Sequence, residues 1–140
     1  MYIARDKDGG LYTYENKPWR NEVEKMWLDA DFYLDYKNPG FGCSDQLSPE
    51  MFPDLTWDDE PIEAIKINDI VKVLGRGYVF VGEDAMEIHV GNKLKIQDKL
   101  FNISGVERVS HMKSVGLVLS HSDEAKDLCK IGDYVEVVKL

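Results

Sequence analysis

The sequence is poor in cysteine and has no long apolar run. Its two cysteines, Cys43 and Cys129, lie far apart and form no motif, so reduced thiols packed as small apolar groups are expected. A chain of 140 residues buries enough surface to fold without a disulfide or a metal. No apolar run approaches the ~20 residues of a membrane helix, and the N-terminus lacks the layout of a secretion signal. We therefore expect a cytoplasmic protein with no membrane partner.

The motifs of common catalytic and metal sites are also missing. Neither the phosphate loop Gly-x-x-x-x-Gly-Lys-Ser/Thr nor the hydrolase motif Gly-x-Ser-x-Gly occurs. The three histidines have no cysteine or histidine two to four residues away, as a zinc site normally requires. Neither cysteine is adjacent to a histidine. We predict a protein that is not an enzyme and holds no cofactor.

Positive charge is scarce. The chain has 17 Lys and Arg residues against 26 Asp and Glu residues, a net charge of −9. Residues 1–66 carry 15 acidic and 7 basic side chains, and residues 67–140 carry 11 and 10, so the negative charge belongs to the first half. Because nucleic-acid affinity rests largely on cations that release counterions, a nucleic-acid partner is not expected.

The first half indicates a hairpin and further strands. Residues 1–6 and 11–15 flank Asp8-Gly9, and a two-residue turn there would place Arg5 opposite Tyr12. Residues 27–36 alternate between apolar and acidic or aromatic side chains, which predicts a half-buried strand. Ser48-Pro49 predicts one or two helical turns over residues 48–56. Residues 61–67 read as a strand or an extended connector.

From residue 68 onward, short apolar strands alternate with glycine and Asn/Asp turn signals. The predicted strands are Ile70–Leu74, Tyr78–Val81, Met86–Val90, Lys93–Ile96, Leu100–Ile103, Val115–Ser120 and Tyr134–Val138. One short helix is predicted over Ser122–Lys130. The pattern predicts a mainly β fold: a Greek-key-like β-barrel of six or seven strands over 68–140, preceded by an acidic, aromatic-rich hairpin and strand region over 1–67. The two regions are either separate domains or one fused globule.

Four glycine-containing segments carry a family resemblance, to the β-barrel second domain of translation GTPases, the elongation factor Tu type. Gly75–Gly82 resembles a strand-turn segment of that domain and Ile88–Leu94 its next turn. Asn102–Val109 resembles its middle strand and Ile131–Val135 its final Gly-Asp turn. The resemblance covers about half of the chain. It implies a barrel fold and a ribosome- or RNA-associated accessory role. It does not imply nucleotide hydrolysis, because the phosphate loop is absent.

The first half carries a second resemblance. Its segments Met1–Gly9 and Phe52–Pro61 resemble small uncharacterised proteins of bacteria and their phages. This resemblance implies a phage-related or mobile-element origin and no defined activity.

Three groups of residues are candidate sites. Asp29 and Asp31 share a predicted strand face and are candidates for a calcium or magnesium site or for an acid–base pair, the alternative being a solvated strand face. Aromatic residues concentrated early in the chain are candidates for a protein-binding surface: Tyr12, Tyr14, Trp19, Trp27 and Tyr33. Basic residues near the barrel turns are candidates for RNA contacts: Arg76, Lys93 and Lys95.

These observations favour a non-enzymatic protein-binding or assembly module, acting on a protein partner or through self-association. Two alternatives stay open at this point. One is a ribosome- or RNA-associated accessory barrel, and the other is a small ligand-binding protein, which would require a pocket with converging polar groups.

Overall fold

The computed structural model describes residues 1–28, 45–83, 88–108 and 113–139. The chain divides into two compact units, Met1–Glu63 and Ala64–Leu140. Among the described residues the elements are β1 (Tyr2–Arg5), β2 (Leu11–Tyr14), β3 (Trp19–Asn21), β4 (Met26–Leu28), β5 (Gln46–Leu47), β6 (Ile62–Val73), β7 (Gly77–Glu83), β8 (Lys93–Ile96), β9 (Lys99–Arg108), β10 (Ser114–Leu119), α1 (Ser122–Leu128) and β11 (Tyr134–Val138). The prediction of a mainly β fold is confirmed.

The C-terminal unit is a closed antiparallel barrel of six strands. Around the barrel the order is β6, β7, β10, β9, β8 and β11, and β11 pairs with β6 to close the ring. Strands β8, β9 and β10 are consecutive neighbours, and β11 returns to lie beside β8, which is the Greek-key arrangement. The predicted Greek-key-like barrel is confirmed, with six strands.

Alternation along the strands fills the barrel interior. Every second residue of β10, namely Val115, Leu117 and Leu119, is buried in one cluster with residues from the other strands such as Phe80 and Leu94. Successive side chains of a strand point to opposite faces, so this period of two directs one apolar set inward. The same period is what made these strands recognisable in the sequence.

The single helix of the described residues, α1, is tied to two parts of the barrel. Ser122 at its start accepts a hydrogen bond at 3.1 Å from the backbone N–H of Tyr78. At its end the carbonyl of Leu128 accepts one at 2.9 Å from the side chain of Gln97, in the β8–β9 turn. Gly77 has φ of +78° and a Cβ there would overlap the Ser122 hydroxyl, so this close approach requires glycine.

Two predictions about barrel elements are corrected. The segments 61–67 and 70–74 form one strand, β6, with an irregularity between Ile67 and Asp69. The predicted strand over 86–90 is wrong where the structure describes it, in residues 88–90. There the side chain of Asn92 accepts a hydrogen bond at 2.9 Å from the N–H of His89, and a turn forms instead.

The N-terminal unit begins with the predicted β1–β2 hairpin, but the predicted register is wrong by one residue. Arg5 pairs with Leu11, and Ala4 pairs with Tyr12. The loop has three residues, closed by the bond from the Asp6 N–H to the Gly10 carbonyl at 2.8 Å. Its third residue is a glycine with φ of +98°. A turn that ends in such a residue is the common three-residue hairpin loop.

Residues 48–56 form consecutive turns and no helix, so that prediction is wrong. Phe52 has φ of +49°, which a helix does not allow. The side chain of Arg5 takes up the carbonyls that a helix would use internally. It donates five hydrogen bonds of 2.6–3.1 Å, to the carbonyls of Gly9, Pro49, Met51, Phe52 and Leu55. All five guanidinium donors are therefore satisfied.

Of the predicted strand over 27–36, the structure describes only the start. Strand β4 covers Met26–Leu28 and pairs with β3. Residues 29–36 lie outside the described part of the chain.

Candidate functional site

The aromatic residues proposed as a binding surface are mostly in the interior. Tyr14 and Trp27 are 0% and 2% exposed, and Tyr12 is buried with them. The surface interpretation is therefore wrong for these three residues. Trp19 is exposed, at 39%. Tyr33 lies outside the described residues.

The side chain of Arg20 packs against two tryptophan rings of the N-terminal unit. The guanidinium of Arg20 lies 4.9 Å from the ring centre of Trp27 and 5.2 Å from that of Trp57. The two rings meet edge to face with centres 5.7 Å apart. Arg20 also donates to the carbonyls of Trp57 and Asp59, at 3.0 and 3.4 Å. Cation–π contacts of this kind stabilise the core, so this arginine serves the fold.

The N-terminal unit presents a strongly acidic surface. It contains 15 acidic and 6 basic residues, a net charge of −9, whereas the C-terminal unit contains 11 of each. Ten acidic side chains of its described residues are exposed: Asp8, Glu15, Glu22, Glu24, Asp45, Glu50, Asp54, Asp58, Asp59 and Glu60. Only three basic side chains of the same residues are exposed, Lys7, Lys17 and Lys25. The side chains of Arg5 and Arg20 donate hydrogen bonds to backbone carbonyls and do not add to the exposed positive charge. The exposed charge of the described residues is therefore mainly negative.

A pocket of about 290 Å³ lies between the β1–β2 turn and the β3–β4 turn of this unit. Its lining consists of Asp6, Lys7, Asp8, Glu24, Lys25 and Met26. Two hydrogen bonds join the turns at the pocket. The Trp27 N–H donates to Oδ1 of Asp6 at 2.8 Å, and the Lys7 N–H donates to the Lys25 carbonyl at 3.3 Å. One contact joins two backbone groups and the other joins a backbone N–H to the Asp6 side chain, and together they hold the two hairpins at the pocket.

Asp6 is the unusual residue of this pocket. It is only 2% exposed, and its Oδ2 atom is buried without a hydrogen-bond partner among the described residues. Burial raises the pKa of Asp6 to about 6, against the lowering effect of the Trp27 hydrogen bond and with a further increase from the charge of Asp8. A raised carboxyl pKa in a pocket is a mark of functional sites, although structural groups also have it.

The basic residues proposed to contact RNA do not form one patch. Arg76 forms an ion pair with Glu107, and Lys95 lies 4.0 Å from Glu136. Strand β7, which Arg76 precedes, and strand β8, which carries Lys93 and Lys95, lie three positions apart in the ring of six. The barrel thus separates these residues, and acidic neighbours accompany two of the three.

The metal candidates Asp29 and Asp31 lie outside the described residues. Within the described ranges, no three histidine, cysteine or acidic residues are grouped so that they could hold a metal ion. Cys43 also lies outside these ranges. Cys129 is buried, and burial followed by the charge of Asp133 raises the pKa of its thiol to about 11. Such a thiol is a poor nucleophile near neutral pH.

Comparison with known proteins gives no relative. No protein-family model matches the chain. No curated protein matches it. No solved structure matches it. The helix found in the described part of the chain has seven residues, far too few to cross a membrane.

The sequence pattern places Asp8 in a hairpin turn and gives no indication that Asp6 beside it is buried. An acidic side chain at a hairpin end is common, and its usual role is to bind turn backbone, as Asp8 does to the N–H of Gly10 at 2.8 Å. The hydrogen bond to its carboxylate comes from Trp27 in β4, 21 residues away. No local signal in the sequence records that contact.

Proposed function

We propose that this protein is a non-enzymatic binding module that engages a basic segment of a partner protein through its N-terminal unit. The observation that carries the proposal is the excess of exposed carboxylates there, ten against three exposed lysines in the described residues. Complementary charge steers association and selects partners. Because a second copy of the chain would present the same negative charge, the two surfaces would repel each other. A distinct partner is therefore favoured over self-association. The phage-related origin stays a prediction.

The experiment measures binding of fluorescent peptides by anisotropy. The probes are a basic Arg/Gly/Ser peptide and an acidic Glu/Gly/Ser peptide of equal length. We expect the basic peptide alone to bind, with affinity that falls by at least about threefold between low and physiological salt, because exposed charges are screened.

Two matched variants locate the binding surface. Asp54→Asn/Asp58→Asn/Glu60→Gln removes three exposed charges from the N-terminal unit and is expected to weaken binding. Asp98→Asn/Asp123→Asn/Asp127→Asn removes three exposed charges from the barrel and is expected to leave binding nearly unchanged. Equal effects of the two variants, or no binding of the basic peptide, would refute the proposal.

The RNA alternative has its own test in the same assay. Labelled poly(U) is titrated against the native chain and against Lys93→Gln/Lys95→Gln. Binding of poly(U) that this variant abolishes would replace the proposal with the RNA-associated barrel. We expect no binding, because the field of the chain is negative and its counterion release would be small.

A further inference from the structure

We infer that the pocket at Asp6 receives the guanidinium group of an arginine side chain from the partner. This inference rests on the proposed function and names the group that the acidic unit recognises. It requires that Asp6 lack an internal partner, that the pocket favour a cation, and that arginine fit better than the other cations.

Asp6 has one polar atom that makes no hydrogen bond to the described residues. Its backbone N–H donates to Gly10, its carbonyl accepts from Gly9 at 3.0 Å, and Oδ1 accepts from Trp27. Oδ2 is buried and has no hydrogen-bond partner in the described residues. A buried carboxylate oxygen left unsatisfied is costly, and a donor that reaches it recovers that cost. Asp6 is one of the residues that line the pocket, so the pocket is the side from which such a donor would approach. Because Oδ2 is itself buried, the contact requires a small rotation of the Asp6 side chain towards the pocket.

The two lysines of the pocket do not supply this donor. Lys7 and Lys25 are exposed, and neither forms an ion pair with Asp6 among the pairs of the described residues. Asp8 and Glu24 line the same pocket, so its lining includes three acidic residues and two lysines. The negative charge of Asp8 is close enough to raise the pKa of Asp6. The pocket therefore favours an incoming cation.

Arginine suits the pocket better than a metal ion or a lysine. The described residues offer no group of three ligands for a metal. At about 290 Å³ the pocket is at the lower limit of ligand clefts, which is right for a side chain and small for a cofactor. A guanidinium is weakly hydrated and presents a planar fork of donors, which lets it bind carboxylates in two places at once.

The test uses two short peptides and nuclear magnetic resonance. The probe is acetyl-Gly-Arg-Gly-amide, and its neutral isostere carries citrulline in place of arginine. We expect the arginine peptide to shift the Trp27 amide and the Asp6 carboxyl signals in a saturable way, and to lower the pKa of Asp6. Asp6→Asn is expected to weaken binding at least about tenfold. The control Asp127→Asn, an exposed residue of the C-terminal unit outside the pocket, should change it little.

Several outcomes would overturn the inference. Equal shifts from the citrulline peptide would remove the role of charge, and equal affinity of a folded Asp6→Asn protein would remove the role of the pocket. Asp8→Asn, which keeps the acceptor for the Gly10 N–H, provides a second variant and is expected to weaken binding less than Asp6→Asn.

Failure of the inference is distinguishable from failure of the proposed function. If Asp6→Asn binds the longer basic peptide normally while the Asp54/Asp58/Glu60 variant does not, the pocket inference falls and the acidic surface stands. If the longer basic peptide does not bind the native chain at all, the proposed function falls, whatever the short peptide does.

Discussion

Acidification is expected to stabilise the N-terminal unit through Asp6. The pKa of this carboxyl rises from 3.8 to about 6 on folding, mainly because burial disfavours its charge. A group whose pKa is raised by folding contributes stability that is complete below its unfolded pKa and is lost as the pH rises through its folded pKa. The window therefore lies between about pH 4 and pH 6. At ~1.4 kcal/mol per pH unit, the contribution is at most about 3 kcal/mol.

The measurement is urea unfolding across this window, followed by tryptophan fluorescence. All three tryptophans, Trp19, Trp27 and Trp57, belong to the N-terminal unit, so the signal reports on it. The variant Asp6→Asn keeps an oxygen that can accept the Trp27 N–H but cannot ionise. Subtracting its profile from that of the native chain removes the titration of the other carboxylates, including Asp8 and Glu24 beside it.

The expected result is a difference in unfolding free energy that favours the native chain increasingly as the pH falls through the window. If the unfolding free energies of the two proteins change with pH in parallel, the reasoning is refuted, because Asp6 then ionises equally easily in the folded and the unfolded chain. A carboxyl carbon titration by nuclear magnetic resonance gives the pKa directly, and a midpoint near 4 would contradict the burial argument in the same way.

Three further predictions concern the fold. Arg5→Lys leaves several of the five loop carbonyls without a donor and should cost about 2–4 kcal/mol, measured by the same fluorescence unfolding; a loss below about 0.5 kcal/mol would contradict it. Gly82→Ala places a Cβ 2.5 Å from Ile65 Cδ1 and should cost about 1–3 kcal/mol. It is measured by the circular dichroism melt of the barrel, and it should exceed the cost of Gly105→Ala, whose Cβ is 3.3 Å from its neighbour. In a Cys43→Ser background, the thiol of Cys129 should react with a disulfide reagent at pH 8 far more slowly in the folded protein than in protein unfolded by urea. Equal rates would show an accessible thiolate in the folded protein.

The barrel was the part of the fold most readable from the sequence. The strands Lys93–Ile96 and Tyr134–Val138 were predicted with the ends that the structure gives them. Each is short, has a buried apolar residue at every second position, and directly follows a Gly-Asn or Gly-Asp pair. Half-buried strands and tight turns are set by neighbouring residues along the chain, so local pattern suffices to find them.

The N-terminal unit shows where local pattern stops being informative. Tyr14 and Trp27 were candidates for a binding surface because aromatic residues and negative charge are both concentrated in the first half of the chain, yet both residues are buried. Residues 48–56 had a good helix start but bind the guanidinium of Arg5, more than 40 residues earlier. Long-range hydrogen bonds of this kind override local propensity, because each satisfies backbone groups that a helix would otherwise satisfy itself.

The sequence by itself determined the fold class, the Greek-key-like barrel and the location of the negative charge. These depend on the period of apolar residues, on turn-forming residues and on simple counting, none of which requires knowledge of distant contacts. Only the tertiary structure decided which aromatic residues are buried, that Arg5 and Arg20 are used inside the unit, and that Asp6 lies in a pocket. Each of these depends on two segments meeting in space, and burial, which sets both exposure and pKa, exists only after they meet.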